Sequence, residues 1–313
     1  MPDLDPAELA ATVRRLAGIE EGNGPDDDHI VAGVLGFVER FDFWYARVMA
    51  NAVHEYRKLI VARINPFIRS AELGHLGVAD AARQLVGDYA RRNFVTAGGW
   101  AMEELAIEAS PRLHKSATRG IDAEWFDNDN NAHHLYVLKS GTVTRNSDIL
   151  ASLKRHGRQA EQLLRQGRNK PAIHVTYGIL AGKRSSSFAD GVERPASAAL
   201  WAEILGMDEE PAIELATAMA NAAGRLMTTG SAVRHISALE TLVAAYIENP
   251  KEPEAVDWEF IARHNLRAKP TWAKEAAVRQ ERALAALAAT GYEPEEPKPL
   301  KAPTDDPDDD VDA

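Results

Sequence analysis

The chain has 313 residues, a formal net charge of −11, 45% apolar residues and no cysteine. That length allows one large domain or two modest ones around a packed core, and the absence of thiols excludes disulfides and thiolate metal sites. No basic segment followed by an apolar run opens the sequence, and no stretch approaches the roughly 18 to 20 apolar residues of a spanning helix, so a cytoplasmic protein without membrane contact is expected.

Net acidity argues against a nucleic-acid partner only if it is spread evenly. From Glu293 onward nine acidic residues face two lysines, a contribution of −7, which leaves −4 for the rest. Between Pro111 and Arg184 thirteen Lys or Arg face six acids. An acidic chain can therefore carry a basic groove.

Residues 1–95 read as a helical N-terminal region, with apolar positions at helical spacing such as Val34, Phe37, Val38 and Phe41. Helices are expected over 6–16, over 30–51 and on toward 68, and over 78–92. Gly98-Gly99 is then expected to open a new helix through Glu103, Glu104 and Ile107. Residues 120–126 alternate as a strand, and Asp127-Asn128-Asp129-Asn130-Asn131 is a turn-forming run. Residues 134–139 return as the paired strand. A basic helix over 147–166 and a strand over 172–180 follow, and further helices are expected near 201–204, 211–226 and 236–247. The core thus spans 96–270, a last helix 271–292, and the Pro-rich acidic segment 293–313 is too poor in apolar residues to order itself.

Glu103, Asp122, Glu124 and Lys139 occur in the order helix, strand, turn, strand. Hydrolysis of a phosphodiester needs a divalent ion to offset developing charge, and carboxylates suit Mg²⁺. On a regular strand Asp122 and Glu124 project to one face, and Lys139 can meet them across the hairpin. Taken singly, these side chains read as a solvated strand face and a strand-end lysine. His133 and His134 project to opposite faces and lack a second pair at ligand spacing, so no histidine metal site is expected. Asn146 or Ser147 can equally cap the next helix.

The runs Glu103-Glu104-Leu105-Ala106-Ile107, Gly120-Ile121-Asp122-x-Glu124, Lys139-Ser140-Gly141 and Asn146-Ser147-Asp148, in this order, resemble type II restriction endonucleases of the PmeII kind, in the PD-(D/E)xK nuclease superfamily. The resemblance is densest over 98–180. It implies an α/β restriction-endonuclease-like core, a small mixed sheet flanked by helices, with the N-terminal helical region and additional C-terminal helices around it. It further implies a Mg²⁺-dependent cut in double-stranded DNA, with Mn²⁺ able to substitute, a homodimer, and a setting of defence against foreign DNA beside a cognate methyltransferase or other defence proteins. Under it Asp122 and Lys139 are catalytic, Glu103 or Glu124 is the second carboxylate, and the Leu138 carbonyl is a further metal ligand. Arg145, Asn146, Lys154, Arg155, Arg158, Lys183 and Arg184 are candidate DNA contacts, although such a basic helix can also be a hydrated surface. One position departs from the superfamily pattern: Val137 stands where an acid two residues before the lysine is usual. The alternative is therefore a catalytically impaired component that binds DNA or a partner protein.

Overall fold

A computed structural model describes residues 5–118, 120–141, 155, 159, 162, 171–182, 186–189, 192–227, 230–266 and 271–297, with positions 188, 189, 231, 271 and 272 described by their backbone alone. The chain folds as two compact units that alternate along the sequence. One is formed by Met1–Phe41 with Ala97–Met227, the other by Asp42–Thr96 with Thr228–Ala302. The expected boundary after residue 95 falls inside a helix. Among the described residues no helix is long and apolar enough to cross a membrane.

The first unit is built on a mixed sheet of six strands: β1 (His114–Lys115), β2 (Ala123–Asp127), β3 (Ala132–Lys139), β4 (Ala172–Ile179), β5 (Ser187–Ala189) and β6 (Val192–Arg194). Their order is β1-β2-β3-β4-β6-β5. The β2–β3 hairpin is antiparallel, whereas β3, β4 and β6 run parallel, so Lys139, Ile179 and Arg194 end at the same edge. The hairpin forms where the turn residues predict it. Asp127 caps the turn by accepting from the backbone N–H groups of Asp129 and Asn130 and from the Asn130 amide, and Asn131 takes the left-handed conformation with φ 48°.

One face of this sheet carries an apolar cluster of Ile121, Leu135, Val137, Tyr177, Ile179 and Val192. On the other face lies α5 (Ser197–Leu205), followed by α6 (Glu209–Leu226). Trp201 Nε1 of α5 donates to the Leu180 carbonyl at 2.9 Å, and the Tyr136 hydroxyl of β3 donates to Glu203. Burial pushes the Glu203 carboxyl above its ordinary range, which suits an acid held beneath a sheet. Gly178 in β4 makes the close approach possible, because a Cβ there would stand 2.7 Å from Leu200 Cδ2 and 3.0 Å from Leu138 Cδ2. α1 (Pro6–Ala17), capped by Asp5, and the first part of α2 (Asp27–Leu59) complete the unit. Buried Arg14 fastens the intervening loop through Asp27 and the carbonyls of Asn23 and Pro25.

A single helix, α4 (Val78–Glu108), runs through Gly98-Gly99 instead of starting there. A helix tolerates interior glycines at a cost of about 1 kcal/mol each. Gly99 has a packing reason: a Cβ at that position would lie 2.7 Å from Ser140 Oγ, so the bare backbone lets the end of β3 come close to α4.

The second unit is helical. It contains the remainder of α2, kinked at Glu55, a 3-10 turn at Val61–Arg63, α3 (Pro66–Leu73), the start of α4, α7 (Gly230–Ile247), α8 (Trp258–Leu266), α9 (Thr271–Ala289) and a two-stranded ribbon of β7 (Glu248–Asn249) and β8 (Glu252–Val256). Tyr56, Tyr246 and Phe260 meet edge to face in its core. Buried Arg279 binds Asp257, Glu275 and the carbonyls of Tyr246 and Glu248, so its charge is fully answered.

The start of the acidic segment, expected to lack order from Glu293, is fastened to this unit. Glu295 pairs with Arg234 at 2.6 Å, and the Tyr292 hydroxyl bonds His235 Nδ1 at 2.6 Å. Two specific anchors replace the apolar burial that composition denies. Residues beyond 297 lie outside the described set.

Two outcomes follow from this packing. Gly178→Ala should lower stability by about 1–3 kcal/mol through overpacking against Leu200 and Leu138, read from the urea midpoint. Burial holds the His235 imidazole below its ordinary value, against the opposing charge of Glu295. An unfolded chain therefore takes up a proton that the folded one refuses. Stability should fall as pH drops through about 6.5, and His235→Gln should remove that part of the slope in urea titrations at stepped pH.

Candidate functional site

β2 begins at Ala123, one residue after the aspartate. Gly120, with φ 75°, turns the chain toward the sheet. Asp122 donates its N–H to the Tyr136 carbonyl at 2.9 Å, although the strand register already pairs Ala123 with Tyr136. The ladder is thus out of step by one residue at its entry. Asp122 then uses its side chain where the next backbone carbonyl would stand, and Oδ2 accepts the Leu138 N–H at 2.7 Å. This fixes the carboxylate against the end of β3.

Lys139 closes β3 opposite Ile179, and its carbonyl accepts the Leu180 N–H at 2.8 Å. Since successive residues of a strand address alternate neighbours, the Leu138 backbone is directed to the β2 side, where Asp122 stands. The Lys139 ammonium lies 3.9 Å from Glu103 Oε1 of α4. The structure therefore brings Asp122 to the Leu138 backbone and Glu103 to the side chain of the next residue, Lys139.

Glu104, one residue along α4, points to β1 and pairs with Lys115. Its separation of about 100° from Glu103 around the helix accounts for the different partners. Glu124 goes elsewhere as well. It accepts from the Ser116 hydroxyl at 2.9 Å and lies 3.4 Å from His133 Nε2. Its ladder partner Leu135 belongs to the apolar cluster of Val137, the face from which Lys139 also projects.

Val137, in the position where an acid is usual, is 6% exposed and belongs to the apolar cluster. His133 and His134 diverge as expected: His133 meets Glu124 and the edge of Phe126. His134 is stacked between Trp125 and His174. Burial in that stack, with His174 adding to it, holds the His134 imidazole below its ordinary value. Among the described residues no three His, Cys, Asp or Glu side chains are grouped to hold a metal ion. A set of two carboxylates and a backbone carbonyl is a different donor set, made wholly of the hard oxygen atoms that Mg²⁺ takes.

Beside this edge a cleft of about 490 Å³ is lined by Met102, Leu180, Ser197, Trp201, Thr217 and Asn221, among others. Nothing in the sequence marks it, because its walls come from four separated segments. Of the expected DNA contacts, Arg155 is exposed and helical. Arg145, Asn146, Lys154, Arg158, Lys183 and Arg184 lie outside the described residues.

A mixed sheet flanked by helices, with an aspartate, a lysine and a helix-borne glutamate at one edge, is consistent with a restriction-endonuclease-like fold. The family model of the type II restriction endonuclease EcoO109I matches residues 38–225, more than half of the chain. The chain belongs to that family. No curated protein matches it. Family membership suggests a DNA-cleaving nuclease and supports the restriction-endonuclease resemblance at the level of the class.

The Lys139–Glu103 contact is long, and the lysine side chain is 40% exposed. Such a pair adds little to stability. Lys139→Ala should therefore shift the unfolding free energy by less than about 0.5 kcal/mol, measured by urea denaturation, so that any lost activity cannot be ascribed to unfolding.

Proposed function

We propose that the protein is a Mg²⁺-dependent endonuclease of the PD-(D/E)xK type, similar to the PmeII-type enzymes, that hydrolyses double-stranded DNA in defence against foreign DNA. The observation that carries this reading is that Asp122 holds the Leu138 N–H at 2.7 Å while Glu103 lies 3.9 Å from the ammonium of the next residue, Lys139. Asp122, Glu103 and the Leu138 carbonyl would hold the ion, which when bound would supply charge neutralisation at the scissile phosphate and a more acidic water. Asp122 is oriented before any ion arrives, because the Leu138 N–H already holds one carboxylate oxygen. The Lys139 ammonium, positioned by Glu103, directs a water or a phosphate oxygen at the same edge. Glu124 supports the β1–β2 side through Ser116 and His133, and its substitution should matter less than that of Glu103. A homodimer would cut both strands, and a methyltransferase or other defence proteins would be its companions.

Val137 favours a second reading. A buried apolar side chain at that position removes one carboxylate from the usual set, which suits a component that binds DNA without cutting it.

Incubation with plasmid or phage DNA and Mg²⁺ separates the two. On the nuclease reading defined fragments appear, chelation by EDTA stops the reaction, and Asp122→Ala and Lys139→Ala each lower the rate by about a hundredfold or more while gel-shift binding persists. Glu103→Gln should be more damaging than Glu124→Gln. Retained binding with no cleavage by the wild-type protein, in Mg²⁺ or Mn²⁺, would establish the binding component instead.

A further inference from the structure

Arg194 ends β6 and is buried, only 8% exposed. The other buried arginines have carboxylate partners: Arg14 has Asp27, and Arg279 has Asp257 and Glu275. Arg194 has none among the described residues, and its Nε is buried without a hydrogen-bond partner. A buried guanidinium nitrogen left unpaired is costly to folding, and an anion beside it would offset that cost.

Its place on the sheet says which anion. β6 runs parallel to β4 with Thr176 opposite Glu193, so one step on Arg194 stands level with Tyr177, which is itself opposite Val137. Val192, two residues earlier and therefore on the same face, belongs to the cluster with Val137, Tyr177 and Ile179. By the same alternation Lys139 projects from that face. The Cα atoms of Arg194 and Lys139 are then two strands and two residues apart, roughly 12 Å from ordinary strand spacings. Two long cationic side chains at that separation can reach one phosphate or two neighbouring ones.

We propose that Arg194 is a DNA-backbone contact, its guanidinium donating to phosphate oxygens of the strand held against Lys139. The planar fork of arginine matches two oxygens of one phosphate, which a lysine ammonium cannot do. This assignment rests on the nuclease reading and names a residue that reading does not require. It also explains how a chain of net charge −11 can place positive charge at the cutting edge from a residue far along the sequence.

The test compares the wild-type protein with Arg194→Gln and Arg194→Lys. Binding of a labelled duplex is followed by fluorescence anisotropy without divalent metal from about 50 to 200 mM salt, the range over which phosphate contacts reveal themselves. Arg194→Gln should bind on the order of tenfold more weakly at the lowest salt, with a log–log salt slope smaller by about 0.9. Arg194→Lys should keep the wild-type slope and lose part of the affinity. In a second arm inorganic phosphate should raise the melting temperature of the wild-type protein and leave that of Arg194→Gln unchanged, while Arg194→Gln alone should melt no lower than wild type. An unchanged slope, or equal phosphate stabilisation of both proteins, would overturn the assignment. If the wild-type protein cuts no DNA but Arg194→Gln loses the phosphate effect, the nuclease reading fails and the phosphate site stands. If the wild-type protein cuts DNA and the Arg194→Gln slope equals that of wild type, the nuclease reading stands and the phosphate contact fails.

Discussion

The carboxylate of Asp122 stands where a backbone carbonyl would continue the β2–β3 ladder, and it takes the Leu138 N–H in place of that carbonyl. A side chain held by a backbone donor keeps its position without help from a flexible neighbour, and the donor belongs to the central part of the sheet. The next residue, Lys139, is fixed in turn through its carbonyl by Leu180, just past β4. Glu103 comes to the same point because Gly99 lets α4 approach Ser140. Three chain segments distant in sequence thus meet at the end of β3, Asp122 at its backbone and Glu103 at its lysine side chain.

Much of this was legible in the sequence where local chemistry decides local structure. The run Asp127 to Asn131 specified its own turn through side-chain to backbone hydrogen bonds, and the hairpin register follows from it. The sequence order of Glu103, Asp122 and Lys139 likewise pointed to a shared edge. The choice between Glu103 and Glu104 was also open to reasoning from the sequence, since the two project about 100° apart, but only the opposing partners Lys139 and Lys115 show which faces the end of β3.

What stayed hidden depends on distant partners. Gly98-Gly99 looks like a break in isolation, and only the proximity of Ser140 explains a glycine inside a continuous helix. Glu124 matched Asp122 by spacing, and only the structure shows that it takes Ser116 and His133 as partners. Glu295 sits in a segment whose composition predicts no order, and its fixation depends on Arg234 and Tyr292–His235 pairs that no periodicity announces. Arg194 carried no motif; its significance comes from a parallel pairing of three strands.

The alternation of the two units along the chain has a practical corollary. The nuclease-like unit draws on Met1–Phe41 and Ala97–Met227, and the segment between them belongs to its neighbour. Both α2 and α4 continue as helix across the points where one unit gives way to the other. Subcloning by truncation from either terminus therefore removes part of a unit rather than a whole one, and the family match over residues 38–225 itself draws on both units.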